Sequence, residues 1–272
     1  MNVDRQVSSD EIKEILLDLL KTIKQVCAQH NLRYFLAGGT LLGAIRHNGF
    51  IPWDDDIDIT MPRVDLMKLV EVFKNRQADH QKLLSLYTDQ DYFNLHAKLV
   101  DTRTQKVYSG VQQLEDAGVN VDIFPLDGLP KTEKEISKYV RKLNFYQTLR
   151  WGAVKHPEFK GKNWLRTFPK RVLHLGYKLI GFRYPIRQIE KLVKQYDFES
   201  SDYVGEFVSV LGLRAKVSKK AFETHVEVTF EDDFFHAPVG HHEYLTVLYG
   251  DYMQLPPIEK RINHHINEIF WK

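Results

Sequence analysis

The spacing of apolar and polar residues divides the chain into short helices and strands that alternate. Apolar residues recur at helical spacing after Ser8, and Ser8 with Glu11 has the pattern of a capping box, so a helix is predicted from there to Asn31. Short apolar runs bounded by glycine and proline predict strands. Strands are expected at 34–37, 56–61, 83–87, 96–100, 119–124, 204–210 and 226–230, and further helices at 41–46, 64–73 and 244–249. This alternation predicts an α+β fold, a mixed sheet flanked by helices.

The segment 131–194 differs in composition from the rest of the chain. It contains 17 Lys and Arg against 4 Asp and Glu, a balance of +13, whereas the whole chain carries +2 and the remainder therefore −11. Long aliphatic residues such as Leu175 and Leu179 are interleaved with charges such as Lys170 and Arg171. The mixture is typical of helices on an anionic bilayer surface, and a solvated face over an ordinary core helix is the alternative. The aliphatic residues favour lipid over nucleic acid, so we expect no nucleic-acid partner.

This composition predicts that the chain has three parts. We expect a core at 1–130, a basic and mainly helical insertion at 131–196 that faces a membrane or an acceptor, and an α+β part at 197–272 that completes the same domain. The N-terminus carries acids where a signal peptide would be basic, and no window approaches the roughly 18 apolar residues of a spanning helix. A cytoplasmic protein, peripheral on the inner face of the plasma membrane, is expected. The lone Cys27 excludes an internal disulfide and is expected to be a buried thiol.

A run of acids carries the clearest chemistry. Four carboxylates fall within 54–58 and repel one another, so they need a compensating cation. On a strand, Asp56 and Asp58 share one face while the aliphatic residues beside them enter the core. Paired carboxylates are hard oxygen ligands that suit Mg²⁺ or Mn²⁺, although acid clusters in loops are often only solvated. Asp54 is two residues before Asp56, so it is expected on the same face and is a candidate third ligand or a residue that supports the ligands. Asp55 is expected to face solvent.

A third acid would complete a site for divalent metal. Asp122 is flanked by aliphatic residues on an expected strand, where a buried acid without a cation partner is costly, so we predict that it joins Asp56 and Asp58 as ligand and catalytic group. Asp127 follows the same strand and is more typical of a turn than of a metal site. Two histidine pairs, His241-His242 and His264-His265, are weaker candidates for metal binding. Adjacent histidines on a helix point apart, so they cannot easily bind one metal ion.

A glycine turn precedes the acids. Gly38, Gly39 and Thr40 lie where a strand passes into a helix, and the N–H groups and dipole at a helix N-terminus favour a phosphate there. Taken alone, a Gly-Gly turn is more often structural. It is the combination with the nearby acids that makes these residues candidates for contact with a phosphorylated ligand.

Four other residues are secondary candidates. Lys98 is placed to pair with a donor phosphate, or lies on the surface. Arg46 and His47 end the helix after the glycine turn, where cations also favour the helix dipole for purely structural reasons. Trp53 is a candidate to pack on a nucleobase or on a quaternary ammonium, with core packing as the alternative.

Three segments together resemble the LicD family of bacterial phosphorylcholine transferases, which are distantly similar to fukutin-type ribitol-phosphate transferases. They are GGTLLGAIRH at 38–47, WDDDID at 53–58 and VDIFPLDG at 121–128, and the tail YGDYM at 249–253 is also similar. The family belongs to the nucleotidyltransferase superfamily, whose pattern is a glycine turn, an acid-x-acid strand and a later third acid. The resemblance implies a nucleotidyltransferase-like core in which Asp56, Asp58 and Asp122 hold the metal.

The resemblance also implies an activity. CDP-choline would be the donor, the acceptor would be a hydroxyl of a lipid-linked glycan precursor of the teichoic acid or lipopolysaccharide type, and CMP would leave. The carboxylates alone do not distinguish this reaction from that of a CDP-polyol phosphotransferase or a nucleotidyltransferase on the same fold. A non-catalytic scaffold at the membrane is a third hypothesis, which the three costly acids argue against.

Overall fold

A computed structural model describes residues 5–76, 80–108, 110–155, 164–209, 216–261 and 268–272, without the side chains of 164–171 and 268. In these ranges the helices are α1 Ser9–His30, α2 Gly38–His47, α3 Arg63–Asn75, α4 Glu133–Val154, α5 Trp164–Ile180, α6 Arg183–Val193 and α7 His241–Tyr249, with 3₁₀ turns at Lys219–Phe222 and Ile258–Lys260. The strands are β1 Phe35–Leu36, β2 Ile57–Pro62, β3 Gln81–Leu84, β4 Ala97–Asp101, β5 Thr104–Val107, β6 Asn120–Gly128, β7 Tyr203–Gly205, β8 Val217–Ser218, β9 His225–Phe230, β10 Asp233–Pro238 and β11 Glu268–Trp271.

A mixed sheet forms the centre of the molecule. Its strands follow the order β1-β2-β6-β4-β3, and β7 extends the far end of β6 and pairs with β8. Strands β2 and β6 run parallel, whereas the other pairs are antiparallel. The predicted α+β class with a mixed sheet is confirmed, and the one parallel pair is the pair that carries Asp58 and Asp122.

The first helix has the limits that its capping residues predict. Ser8 accepts from the Glu11 N–H while the Glu11 side chain accepts from Ser8, and Asn31 ends the helix in the left-handed conformation with φ of 52°. Its apolar face is buried, and Cys27 lies on that face with 1% exposure, as predicted. Burial raises the pKa of the Cys27 thiol to about 12.

Near the acids, two elements begin at residues other than the predicted ones. Helix α2 begins at Gly38 rather than at residue 41, so the glycines form its first turn. Strand β2 begins at Ile57 rather than at residue 56, which leaves Asp54, Asp55 and Asp56 outside the regular strand. The alternation of faces therefore cannot be extended backwards from Asp58 through these three residues.

Apolar side chains from both ends of the chain share the main core. Residues of α1, β2 and β6 pack there together with residues that follow 197, among them Phe222, Tyr244 and Ile269. A second cluster lies under α4 and α6 and includes Leu143, Ile189 and Phe207. The three-part division of the chain remains a prediction. Among the helices in the described ranges, none has the length and apolar character needed to cross a bilayer.

Candidate active site

Three charged residues lie in one row across the sheet. Asp58 on β2 and Asp122 on β6 are register partners in the parallel pair, and Lys98 on β4 is the partner of Asp122 on its other side. Residues that are directly opposite in a sheet point to the same face. The structure thus brings together Asp58, Asp122 and Lys98 from three separate stretches of the sequence.

Asp122 is held by its neighbours as an ionised carboxylate. Lys98 Nζ forms an ion pair with Oδ1, Asn120 Nδ2 donates to the same oxygen at 2.5 Å, and His96 Nε2 lies 3.5 Å from Oδ2. Burial alone would raise the pKa of Asp122, but the Lys98 ammonium and His96 hold that pKa well below its usual range. Lys98 is only 8% exposed, so the surface alternative for this lysine is wrong.

Asp58 is in the opposite electrostatic situation. Its backbone N–H donates to Thr40 Oγ1 at 2.8 Å, and its carbonyl accepts from Ala37 N–H at 3.0 Å, which fixes β2 against the start of α2. Burial raises the pKa of Asp58 well above its usual value, and repulsion from Asp56 and Asp122 adds to the shift. A cation close to Asp58 would favour the ionised form of its carboxyl.

The residues before β2 surround a small cavity. A space of about 70 Å³ is lined by Asp55, Asp56 and Asp122, with Lys106 and Asn120 also at its wall. Asp55 was expected to face solvent, but its side chain is only partly exposed and lines this cavity. The reason is that regular strand geometry begins only at Ile57, so the alternation of faces does not apply to Asp55.

Asp54 lies against the glycine turn. A Cβ added to Gly39 would come within 2.7 Å of Asp54 Oδ2, and one added to Gly38 would lie 3.5 Å from Asp58 Oδ2. Burial raises the pKa of Asp54 to about 7, with Asp56 as the next cause. The glycines thus make room for two carboxylates at the N-terminus of α2, where the helix dipole favours negative charge.

The N–H group of Gly38 already has a partner. It donates to Tyr244 Oη at 3.3 Å, and Tyr244 Oη donates to Glu206 Oε1 at 2.9 Å. Gly38 also has φ of +50°, in the left-handed region that favours glycine. The predicted role of Gly38, Gly39 and Thr40 in phosphate contact remains a prediction, and the visible role of the turn is to hold carboxylates.

Two charged residues of the site, Glu206 and Lys106, were missed by the sequence reasoning. Burial raises the pKa of Glu206 to about 7, and its charge adds to the repulsion on Asp58. Glu206 stands alone among apolar residues in 203–208, which is the signal that identified Asp122 and could have identified Glu206. Lys106 lies on β5, an unexpected strand, and burial lowers its pKa.

The other end of α2 carries a cluster of cations and rings. Arg46 Nη1 donates to the Tyr252 carbonyl at 2.8 Å, and its Nε donates to His47 Nε2 at 3.0 Å. The His47 and Trp53 rings are 6.3 Å apart, and the Arg261 guanidinium lies 5.5 Å from the Trp53 ring centre. Trp53 is partly buried against the main core, and its contact with a donor remains a prediction.

Several weaker candidates have other partners. Asp127 forms a two-point ion pair with Arg63, at 2.5 and 2.7 Å, and is buried within the sheet. His242 Nδ1 lies 3.0 Å from Tyr252 Oη, and the pair His264-His265 lies outside the described residues. In the part of the chain that the structure describes, no group of three or more His, Cys, Asp or Glu residues has the geometry of a metal site.

Comparison with known proteins gives matches over part and over all of the chain. Residues 31–158 match the family model described as LicD/FKTN/FKRP, nucleotidyltransferase domain. A curated relative, the lipopolysaccharide cholinephosphotransferase LicD of Haemophilus influenzae, is 32% identical over 98% of this chain and 99% of its own length. Two uncharacterised proteins match shorter stretches. The protein of Rickettsia prowazekii is 40% identical over 21% of this chain, and the protein of Rickettsia typhi is 41% identical over 23% of it. Each match covers 21% of the relative.

Proposed function

The chain belongs to the LicD family, and from this membership and the geometry of the site we propose that it is a metal-dependent phosphorylcholine transferase. CDP-choline is the donor, a hydroxyl of a cell-surface glycan precursor is the acceptor, and CMP is released. The observation that carries the proposal is the match to the Haemophilus protein over 98% of this chain, combined with the facing pair Asp58 and Asp122. The name of that relative favours an acceptor of the lipopolysaccharide type, and a teichoic acid precursor is the second option.

The acids near the start of α2 supply the carboxylate oxygens that a divalent cation prefers, but the described residues do not hold three of them in the geometry of a metal site. Burial and mutual repulsion raise the pKa of both Asp54 and Asp58, which is the response of carboxylates that lack a counter-charge. Asp56 and Asp58 would hold the cation, with Asp122 as the third ligand through the oxygen that Lys98 does not engage. When bound, Mg²⁺ or Mn²⁺ would neutralise charge on the donor diphosphate and on the departing CMP oxygen.

The side chains around Asp122 define the role of that residue. Because Lys98 keeps Asp122 ionised, its carboxylate can accept a hydrogen bond from the acceptor hydroxyl and orient the oxygen for attack. The acceptor oxygen then bonds to the choline-bearing phosphorus, the bond from that phosphorus to the CMP oxygen breaks, and the hydroxyl proton passes to solvent. Lys98 acts as a positioning residue, since it lies against Asp122 from the next strand.

The basic segment would bring the enzyme to a lipid-linked acceptor. Exposed apolar residues of α5 recur at one-turn spacing, with Val172, Leu175 and Leu179 exposed by 53%, 60% and 80%. They lie within the segment that carries the +13 balance, so an anionic bilayer complements both its charge and its apolar face. The proposed location is therefore the inner face of the plasma membrane.

Product analysis tests the reaction. The purified protein is incubated with Mg²⁺, a glycan acceptor and either CDP-choline, CDP-ribitol or CTP, and release of CMP or pyrophosphate is followed. We expect CMP from CDP-choline and transfer of phosphorylcholine to the acceptor. CMP from CDP-ribitol alone would favour the polyol alternative, pyrophosphate from CTP would favour a nucleotidyltransferase, and no product from any donor would favour the non-catalytic scaffold.

Substitution of Asp58 tests the assignment of the acids. Asp58→Asn removes a charge from the site, and we expect turnover to fall at least about 100-fold while the fold is retained. Asp232→Asn is the matched control, because Asp232 is exposed and pairs with Lys21 on the surface. Retention of activity by Asp58→Asn would contradict the proposed metal site.

A further inference from the structure

A donor phosphate at the start of α2 would have carboxylates as close neighbours. The Gly38 N–H is engaged by Tyr244 Oη, and Asp54 Oδ2 lies beside Gly39. An anion placed there would meet Asp54 and Asp58 at short range, where like charges repel strongly in a partly buried site. A cation held by these acids would neutralise part of the charge of the donor diphosphate. The rest of that negative charge needs cationic side chains from another part of the protein.

Two arginines near the other end of α2 provide positive charge. Arg46 donates to the carbonyls of Tyr252 and Gln254, and Arg261 Nε donates to the carbonyl of Pro256 at 2.9 Å. Within the described ranges, neither guanidinium has a carboxylate partner. Carbonyls fix the direction of a guanidinium without neutralising it, so both arginines retain net positive charge.

The two guanidiniums are also close to each other. Burial lowers the pKa of Arg46, and the charge of Arg261 is the second cause. The contacts form a short series, in which Arg46 bonds His47, the His47 ring faces Trp53, and Arg261 lies over Trp53. Two like charges held together in this way are stabilised by an anion that bridges them.

Arg46 lies on the same helix whose first turn packs against the acids. Arg46 is seven residues from Gly39, so both lie on one face of α2, about 10 Å apart along the axis, and helical side chains lean back toward the N-terminus. Tyr249 lies at the start of α2 beside Asp58, since a Cβ added to Gly38 would be 3.8 Å from Tyr249 Oη and 3.5 Å from Asp58 Oδ2. Trp53, next to Asp54 in sequence, adds an aromatic face.

We infer that Arg46 and Arg261 form an anion subsite for the diphosphate of a nucleoside-diphosphate donor, with Trp53 as the neighbouring ring. The subsite deepens the proposed function and rests on it for the identity of the donor. Arg261 lies outside the segment 31–158 that matches the family model, so this part of the site comes from the C-terminal loop. The fork of an arginine matches the paired oxygens of a phosphate, which a lysine does not reproduce.

Binding measurements on the full-length protein test the subsite. Isothermal titration calorimetry compares CDP, inorganic pyrophosphate and cytidine for wild type, Arg261→Gln and Arg46→Lys, with thermal melting as the check on folding. We expect about 10-fold or greater weakening for CDP and pyrophosphate in both variants, and no comparable change for cytidine. Arg183→Gln is the matched control, since Arg183 also donates to a backbone carbonyl, that of Gln90.

The outcomes separate this inference from the proposed function. Unchanged CDP affinity in Arg261→Gln and Arg46→Lys would overturn the subsite while leaving phosphorylcholine transfer intact. Equal weakening for cytidine and CDP would also overturn it, because the loss would then concern the base. If wild type binds pyrophosphate through the arginines but neither binds nor turns over CDP-choline, the subsite stands and the proposed donor is wrong.

Discussion

Gly39 and Asp54 show how one residue can be required by another that is distant in sequence. A side chain at position 39 would place its Cβ 2.7 Å from Asp54 Oδ2, so the Asp54 carboxylate would have to move. The glycine therefore belongs to the acid site as much as to the turn. From the sequence, the glycines and the acids could be assigned to one site, but their direct contact depends on how α2 packs on β2, which no local pattern encodes.

Asp122 and Glu206 show the same limit of prediction from sequence, because the position of each depends on tertiary contacts. Both are single acids among apolar residues, and the reasoning that a buried acid needs a partner singled out Asp122, which pairs with Lys98. Its partner Lys98 could be suggested but not established, because strand register is set by tertiary contacts. Glu206 carries the same signal and lies beside the site only because β7 extends β6.

Glu206 gives a prediction about pH. Burial raises the pKa of this carboxyl from 4.5 to about 7, so the folded protein holds its proton more tightly than the unfolded chain does. Stability is therefore expected to fall as pH rises from about 4.5 to about 7, by up to about 3 kcal/mol from this residue. Glu206→Gln cannot titrate, so its free energy of unfolding should increase relative to wild type across that range.

Urea denaturation at pH 5, 6, 7 and 8 measures this difference. Other titrating groups are common to both proteins and cancel when the two free energies of unfolding are subtracted. Glu223→Gln serves as control, because the Glu223 side chain is exposed. Parallel stability curves for wild type and Glu206→Gln would show that Glu206 does not have a raised pKa.

At the scale of elements, helices with caps were predicted more accurately than short strands. Helix α1 has the predicted limits because its capping box and the Asn31 end are local signals. Strands β5, β8, β10 and β11 were missed. Strand β5 pairs with β11 from the far end of the chain, and β8 and β10 are short partners of β7 and β9. The start of α2 was placed too late because glycine is read as a helix breaker, although it is tolerated in a first turn next to carboxylates.

Helix α5 gives a prediction about membranes. Leu175 and Leu179 are exposed on one face, so burial of that face in a bilayer removes apolar surface from water. We expect wild type to float with liposomes that contain anionic lipid, and Leu175→Asp with Leu179→Asp to lose most of this binding. Phe234→Asp is the matched control, because Phe234 is 56% exposed on the β9–β10 hairpin, away from α5.

The salt dependence of flotation distinguishes the two contributions. Binding that weakens with salt and with the paired leucine substitutions supports a surface that uses both charge and apolar area. Equal flotation of wild type and the Leu175→Asp, Leu179→Asp protein would contradict the membrane assignment for α5. Loss of flotation in Phe234→Asp as well would point to general unfolding or nonspecific adsorption.

At the scale of the whole molecule, the site depends on both ends of the chain. Asp58 and Asp122 come from β2 and β6, whereas Tyr244 follows residue 197, packs in the same core and hydrogen-bonds both Glu206 and the Gly38 N–H. The basic helices α4 and α6 pack instead on a second cluster. Composition predicted separate segments, but it could not show that residues after 197 share a core with the strands that carry the acids.

Phe222 tests whether the two ends fold as one unit. Its ring is fully buried, 5.3 Å from the Phe35 ring on β1 and 5.4 Å from the Tyr244 ring on α7. Phe222→Ala should lower the free energy of unfolding by about 3–5 kcal/mol, the usual cost of truncating a buried phenylalanine. Because the core is shared, far-UV circular dichroism and tryptophan fluorescence should report one coincident transition in urea, shifted equally for both probes.

The exposed Phe234 supplies the comparison for this last experiment. Phe234→Ala removes the same atoms from the neighbouring hairpin but leaves no cavity, so its effect should stay within about 0.5 kcal/mol of wild type. Similar losses for Phe222→Ala and Phe234→Ala would mean that the ring contacts between the two ends contribute little. Two separate transitions in the Phe222→Ala protein would mean that the N-terminal acids sit in a unit that folds without the C-terminal residues, and Glu206 and Arg261 would then join the site only after that unit has formed.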